Sequence, residues 1–146
     1  MKKYACCLAA CLLAVACKNY QTLPVTLPDG FVVQARVADT PQKQERGLMF
    51  VTHLPSQDGM LFAFDKDQEQ VFWMKNTFID LDMVFIGEDH IVTSVEAQVP
   101  HSYAYTPDNE VAYATGYGKY VLELAARTAE EHGVTPGAKL VFVYEK

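Results

Sequence analysis

Short runs in which apolar and polar residues alternate recur along most of the chain. Between Phe31 and Val37 the odd positions are all apolar and the even positions are mostly polar, the pattern of a strand with one buried face. Other short apolar stretches, each predicting a strand, lie at residues 60–64, 71–76, 81–86, 91–99, 111–115, 120–124 and 139–144. The pattern therefore predicts seven or eight short strands.

Two segments have helical character instead. Thr40-Pro41 begins the first, since threonine can cap a helix and proline suits its first position, and this helix is predicted to run to about Phe50. The second covers residues 125–132 and ends at Gly133, a residue suited to the left-handed position after a helix. Many short strands with two short helices predict a mainly β fold, a small antiparallel sandwich, jelly-roll-like or barrel-like domain.

The N-terminal segment has a different pattern. Lys2 and Lys3 precede an uncharged apolar run over residues 4–16, which is shorter than the roughly 20 residues of a membrane-spanning helix and is typical of a signal peptide. Small residues then lead into Cys17 as Ala14-Val15-Ala16-Cys17, which resembles the lipobox of bacterial lipoproteins. We expect residues 1–16 to be removed and Cys17 to carry a lipid that anchors the protein to a membrane of the bacterial cell envelope.

Two alternatives to lipidation at Cys17 stay open. Residues 8–11 match the lipobox better, but cleavage before Cys11 would leave an apolar region of seven residues at most. Ordinary signal cleavage would give a soluble periplasmic or secreted protein. The sequence does not distinguish the inner from the outer membrane.

The rest of the chain divides into a tether and one domain. Residues 17–28 are polar, contain two Leu-Pro pairs and are predicted to form an extended tether with a candidate edge strand, and residues 29–146 form a single domain. All four cysteines lie at positions 6, 7, 11 and 17. The predicted domain therefore has neither a disulfide nor a thiol nucleophile.

Charge excludes one class of partner. Removal of Lys2 and Lys3 leaves 10 Lys and Arg against 18 Asp and Glu, a net charge of −8. The chain has no basic run after residue 3, so it lacks the cationic surface that nucleic acids or electrostatic membrane docking require. A lipid anchor would supply the membrane contact by itself.

The middle of the chain holds a set of distinctive motifs. They are Arg46-Gly47-Leu48-Met49, Asp58-Gly59-Met60-Leu61-Phe62, Phe72-Trp73-Met74-Lys75-Asn76-Thr77, Leu81-Asp82-Met83 and Leu122-Glu123-Leu124. In this order and spacing they resemble the DUF192 family (domain of unknown function 192) over about residues 25–144. The resemblance implies a small, mainly β fold of sandwich or jelly-roll type, often exported, and it supplies no established reaction, substrate or cofactor. The chain departs from the family pattern at Arg127, where glycine is usual.

A hairpin in the central motif would create a recognition surface. If residues 71–76 and 81–86 pair antiparallel, Asn76 faces Leu81, Lys75 faces Asp82 and Trp73 faces Val84. One face is then core, formed by Phe72, Met74, Leu81, Met83 and Phe85. The other would present the only tryptophan beside a cation and an anion, although a solvated Lys-Asp pair shielded by Trp73 is the alternative.

The candidate ligand-binding residues are Trp73, Lys75, Asp82, Asn76, Arg46 and Glu123. Structural roles would also suffice for two of them: Arg46 lies near the end of a predicted helix, and Glu123 alternates away from two leucines. The tyrosines between Tyr103 and Tyr120 are a further candidate surface, with packing over a sheet edge as the alternative.

Other chemistries have little support in the sequence. The four histidines are isolated, which disfavours a metal site, and the chain has no Gly-x-Ser-x-Gly, P-loop or dinucleotide fingerprint, so no cofactor is predicted. We expect a non-catalytic binding or accessory module of the cell envelope with a small glycan or peptide as ligand. The alternatives are a small hydrolase or transferase, favoured by an apolar pocket with strongly shifted pKa values, and a structural partner of an envelope assembly.

Overall fold

A computed structural model describes residues 20–146, and the predicted signal peptide and Cys17 lie outside these described residues. The strands are β1 (Thr22–Thr26), β2 (Val32–Ala38), β3 (Asp58–Trp73), β4 (Leu81–Ile86), β5 (Val92–Val99) and β6 (Tyr113–Ala125). The helices are α1 (Pro41–Arg46), α2 (Thr128–Glu131) and a 3-10 turn over Asp108–Glu110.

The six strands form one sheet that is not closed into a barrel, which confirms the mainly β class with two short helices. Their order is β1-β2-β3-β6-β4-β5, and all neighbours are antiparallel except β2 and β3. The strand β1 is an edge strand inside the segment predicted as a tether. Among residues 20–146, no helix is long and apolar enough to cross a membrane.

Two predicted pairs of strands are in fact single long strands. Residues 60–64 and the first half of 71–76 belong to β3, and residues 120–124 with most of 111–115 belong to β6. The pairing of β3 with β6 shifts register between Ala63 and Gln68. Beyond this irregularity the two-stranded ribbon folds back over the sheet, so that the Phe72 ring lies 4.8 Å from that of Phe62 and 6.3 Å from that of Phe85.

Two glycines of β6 permit this close crossing. A Cβ atom at Gly116 would lie 2.3 Å from the Phe85 ring, and one at Gly118 would lie 2.4 Å from the Ile86 carbonyl oxygen. Any side chain at either position would push the ribbon away from β4. The spacing of these glycines thus allows β6 to serve both as a central strand and as part of the folded ribbon.

The predicted hairpin between residues 71–76 and 81–86 is wrong. Its first strand ends at Trp73, because Met74 to Thr77 form a turn in which the Thr77 N–H donates to the Met74 carbonyl (3.1 Å) and Asn76 adopts a φ of 54°. The partners of β4 are β5 and β6. The predicted apolar set is nevertheless confirmed: Met74, Leu81, Met83 and Phe85 are buried in one cluster, against which Phe72 packs.

The helices are shorter than predicted, for local reasons. The N-terminal cap of α1 is Thr40, as predicted, and the helix ends at Arg46 because Gly47 leaves the helical conformation. The start of α2 is delayed by Arg127, whose positive φ of 75° is a conformation that glycine adopts more readily than other residues. The Val134 N–H donates to the Ala129 carbonyl (2.8 Å) after the predicted terminator Gly133.

The C-terminal residues 139–144 do not form the predicted strand. They make only isolated bridges, Lys139 with Ile91 and Val141 with Thr26. Their apolar side chains still contribute, since Leu140 and Phe142 are buried in one of the two cores.

The sheet carries a core on each face. Because side chains alternate along a strand, Leu61, Leu122 and Val84 face one core, whereas Met60, Val121 and Met83 face the other. The second core lies beneath the folded ribbon and α1. It is incompletely filled, and the gap is the candidate site.

Candidate functional site

A pocket of about 270 Å³ opens between α1 and the folded ribbon, on the face of the second core. The turn after α1 forms one wall and the ribbon half of β3 forms the other. The residues that line it are Gln44, Glu45, Arg46, Gly47, Leu48, Met49, Phe62, Phe64, Gln70, Val71, Phe72, Trp73, Thr77 and Glu123. Six of these fourteen residues are polar or charged and four are aromatic, so the lining can offer a small molecule both hydrogen bonds and apolar contact.

Glu123 is the buried ionisable group of the pocket. It lies in the centre of the sheet, where Met60 of β3 and Met83 of β4 are its neighbours across the strands. The residue is only 5% exposed, and its Oε2 has no hydrogen-bond partner among the described residues. Burial raises the pKa of Glu123 to about 8, although the charge of nearby Arg36 acts in the opposite direction. Without a bound ligand, the Glu123 carboxyl is therefore neutral at pH 7.

The pocket wall at the end of α1 is held to the sheet by the Gln44 side chain. The cation of this wall, Arg46, points outward. The Gln44 Nε2 donates to the carbonyls of Ala38 (3.4 Å) and Ala63 (2.9 Å). The guanidinium carbon of exposed Arg46 lies 4.8 Å from the ring centre of Phe50, a residue that does not line the pocket. Arg46 therefore sits at the mouth rather than beside Glu123.

The ribbon wall combines a buried amide with an accessible aromatic ring. The Gln70 side chain is buried, and its Nε2 donates to the Gly118 carbonyl (3.2 Å) across the ribbon. Trp73 is 42% exposed and packs at 6.2 Å between ring centres against Tyr113. A tryptophan in this position is accessible both to the pocket and to solvent.

Comparison with known proteins identifies the family. The family model of DUF192, described as an uncharacterized ACR, matches residues 25–142. The chain belongs to the DUF192 family. A comparison with curated proteins found no match.

Two crystal structures share the fold of this DUF192 protein. One, named a putative transcription regulator from Sinorhizobium meliloti 1021, is 33% identical over 85% of this chain and 95% of its own, with a TM-score of 0.74. The other is a protein of unknown function from Novosphingobium aromaticivorans DSM 12444, 32% identical over 84% of each chain, with a TM-score of 0.68. Neither name assigns a ligand to the pocket.

Three of the six candidate residues meet at the DUF192 pocket, namely Arg46, Trp73 and Glu123. Asn76 does not line it; its carbonyl accepts from the Phe50 N–H (2.8 Å) and so links the turn after α1 to the turn after β3. This hydrogen bond therefore holds together two turns that adjoin the pocket.

The predicted pairing of Lys75 with Asp82 is wrong. Lys75 forms an ion pair with Asp108 instead, and its Nζ lies 5.9 Å from the Trp73 ring centre. Asp82 is fully buried, and its two oxygens accept from the Gln98 N–H (2.8 Å) and the Ala129 N–H (2.9 Å). Asp82 thus fixes β5 and α2 to the sheet, and the recognition surface predicted from the hairpin does not form.

The sequence analysis missed Gln44 and Gln70. Both are ordinary polar residues in amphipathic segments, and the only signal for Gln70 is its place beside the Phe72-Trp73 motif. The tyrosine-rich segment lies outside the pocket: Tyr103 and Tyr105 stack at 5.4 Å and are exposed, whereas Tyr120 is buried. Within residues 20–146, no group of three or more His, Cys, Asp or Glu side chains is placed to hold a metal ion.

Proposed function

We propose that this DUF192 protein is a binding module of the bacterial cell envelope that holds a small ligand above Glu123. The observation that carries the proposal is a buried carboxyl in the lining of an aromatic-rich pocket, with one oxygen that has no hydrogen-bond partner among the described residues. Such a group costs folding free energy of about 1 to 3 kcal/mol unless something completes its hydrogen bonds. The pocket volume is just below the roughly 300 to 1,000 Å³ typical of drug-sized ligands, which favours a smaller one.

Binding is favoured over catalysis by the composition of the lining. It contains no serine, cysteine or histidine, and the Thr77 hydroxyl donates to the Lys75 carbonyl (3.4 Å) instead of facing a base. Glu123 has no second buried acid or base beside it among the lining residues. An activated nucleophile normally needs such a partner.

One observation favours a hydrolase or transferase as the second candidate. A carboxyl with a pKa of about 8 remains protonated at neutral pH and could act as a general acid, as raised glutamates do in glycoside chemistry. In that case Glu123 would protonate a leaving group of a glycan or peptide substrate.

The location in the envelope is proposed from the N-terminal sequence, with a lipid on Cys17 as anchor. The three residues after Cys17 reach Tyr20, a span of at most about 10 Å. The Tyr20 ring lies 5.7 Å from Lys43 Nζ of α1, the helix whose end forms one wall of the pocket. A lipid on Cys17 would therefore keep the pocket close to the membrane surface.

Replacing Cys17 with serine tests this location. We expect the variant to lose its acyl chain and to move from the membrane to the soluble fraction, because the charge of the domain provides no other attraction. Fractionation with mass spectrometry of the N-terminal peptide measures both. A variant that stays on the membrane, with no acyl chain on the wild type, would refute the lipoprotein proposal.

Fluorescence of Trp73, the only tryptophan, tests ligand binding. Glycan fragments and short peptides from the cell envelope should change its emission saturably. Loss of an aromatic contact commonly costs on the order of 1 kcal/mol, so Trp73→Phe, measured by calorimetry, should weaken binding about fivefold. The control Tyr117→Phe alters an exposed ring outside the pocket and should leave the affinity unchanged.

The same titration separates the two candidate functions. A stable signal supports the binding module, whereas a signal that decays as the fragment is consumed supports the enzyme. Emission that responds to no fraction and is insensitive to aqueous quenchers would contradict both.

A further inference from the structure

The polar groups at the pocket offer acceptors more than donors. The Gln44 Nε2 is engaged by two backbone carbonyls and the Gln70 Nε2 by one, so the groups these side chains have left for a ligand are mainly their carbonyl oxygens. Glu123 also lines the pocket, and its Oε2 is buried with no hydrogen-bond partner among the described residues. Such a lining suits a ligand that donates hydrogen bonds.

The apolar part of the lining suits a cation. Four aromatic side chains line the pocket, those of Phe62, Phe64, Phe72 and Trp73. The faces of aromatic rings attract ammonium groups, most strongly for tryptophan and when the ion is shielded from water. Trp73 already has one ammonium near its ring, since Lys75 Nζ lies 5.9 Å from its centre.

The charged residues around Glu123 leave room for an added positive charge. Arg36 acts on the carboxyl from β2, which is separated from β6 by β3, and its guanidinium lies 5.9 Å from the Tyr20 ring centre. At the mouth, Glu45 and Arg46 carry opposite charges, and Arg46 is turned to Phe50. The Arg46 guanidinium is therefore directed to the face of a ring that does not line the pocket.

We infer that the pocket recognises an organic ammonium group, held between the carboxylate of Glu123 and the aromatic rings of Phe62, Phe64, Phe72 and Trp73. This inference rests on the proposed function, because it specifies the chemical class of the ligand in the same pocket. It fits peptides and sugars with a free amino group, which is protonated to an ammonium near neutral pH. On binding, Glu123 gives one proton to solvent and becomes the counter-ion of the ligand.

A matched pair of probes tests the charge of the ligand. Full-length protein in non-ionic detergent is titrated with phenethylammonium and with 3-phenylpropionate, which have similar shapes and opposite charges. An amine with a pKa near that of lysine, about 10.4, stays protonated from pH 6 to 9. Affinity for phenethylammonium should rise about tenfold per pH unit up to about pH 8 and then level off, because Glu123 must lose its proton.

Substitution of Glu123 completes the test. Glu123→Gln should weaken phenethylammonium binding at least tenfold at pH 8 and abolish its pH dependence. Glu96→Gln removes an exposed carboxylate from β5, outside the pocket, and should change affinity less than threefold. Calorimetry in two buffers of different ionisation enthalpy should show close to one proton released per ammonium bound at pH 6.5.

The outcomes separate this inference from the proposed function. Binding of 3-phenylpropionate that weakens as pH rises would overturn the ammonium inference and leave the proposed binding module standing. Binding of neither probe at millimolar concentration, together with no response to envelope fragments, would overturn both. Mixed micelles of the same detergent with phosphatidylethanolamine or with phosphatidylcholine, tested as competitors of phenethylammonium, show whether the ammonium belongs to a primary-amine headgroup or to a free amine.

Discussion

Replacing Glu123 with glutamine is expected to stabilise the protein by roughly 3 kcal/mol at pH 7. The free carboxyl has a pKa of about 8 in the folded protein against 4.5 for an exposed glutamate. Between these values the folded protein holds a proton that the unfolded chain releases. Folding must therefore take up a proton against the prevailing pH, and glutamine, which is always neutral, avoids this cost.

The difference between the pKa values of Glu123 in the folded and unfolded protein also sets the sign of the pH dependence of stability. The free energy of unfolding of the wild type should fall as pH rises from 4.5 to about 8 and stay level above that, relative to Glu123→Gln. The difference in the free energy of unfolding between Glu123→Gln and the wild type reaches about 5 kcal/mol at high pH and vanishes below pH 4.5. Urea unfolding at several pH values measures it.

Other titrating groups cancel in this comparison because both proteins contain them. They include Asp80, whose pKa is lowered by hydrogen bonds from His101, and His90, whose pKa is lowered by burial. Glu96→Gln, at an exposed position of β5, is the control and should follow the wild type. Parallel profiles for wild type and Glu123→Gln would show that Glu123 is not a buried neutral acid.

Met74→Ala is expected to lower the free energy of unfolding by about 2 to 5 kcal/mol. The Met74 side chain is fully buried in the second core. Its backbone is also constrained: the N–H donates to the Ala112 carbonyl (2.9 Å), and its carbonyl accepts from the Ser102 hydroxyl (2.5 Å). The shorter side chain would leave a cavity that the surrounding turn cannot close.

The adjacent Lys75 supplies the control for Met74. Lys75→Met should change stability by about 0.5 kcal/mol or less, because its partner Asp108 is exposed and exposed ion pairs contribute little. Chemical denaturation of both variants gives the ranking. A larger loss for Lys75→Met than for Met74→Ala would mean that the assigned faces of this segment are reversed.

The cost attached to Glu123 bears on its function. An unpartnered buried acid is unfavourable for folding, and an apolar residue of similar size would fill the same position more stably. Perturbed carboxyls of this kind concentrate in clefts that bind or transform ligands. The stability and binding measurements on Glu123→Gln therefore test one trade-off: the substitution should raise stability and lower affinity for ammonium.

Much of the local structure could be predicted from the sequence. Alternation from Phe31 to Val37 predicts β2, and Thr40-Pro41 predicts the start of α1, because both signals depend only on neighbouring residues. The buried set of Met74, Met83 and Phe85 was also correct even though the strand partner was wrong. The period of a strand reveals which side chains share a face, whatever lies beside that strand.

Tertiary structure alone decided which strands are neighbours and which side chains meet. The pattern of residues 81–86 is compatible with any partner, and one of the two strands that pair with it is β6, more than 30 residues further along the chain. The pocket joins Arg46, Trp73 and Glu123 because the ribbon folds back at the register shift and crosses β4 at two glycines. The sequence by itself determined the faces of the strands and the N-terminal cap of α1 through short-range sterics and hydrogen bonding, whereas the site depends on long-range packing that no local pattern encodes.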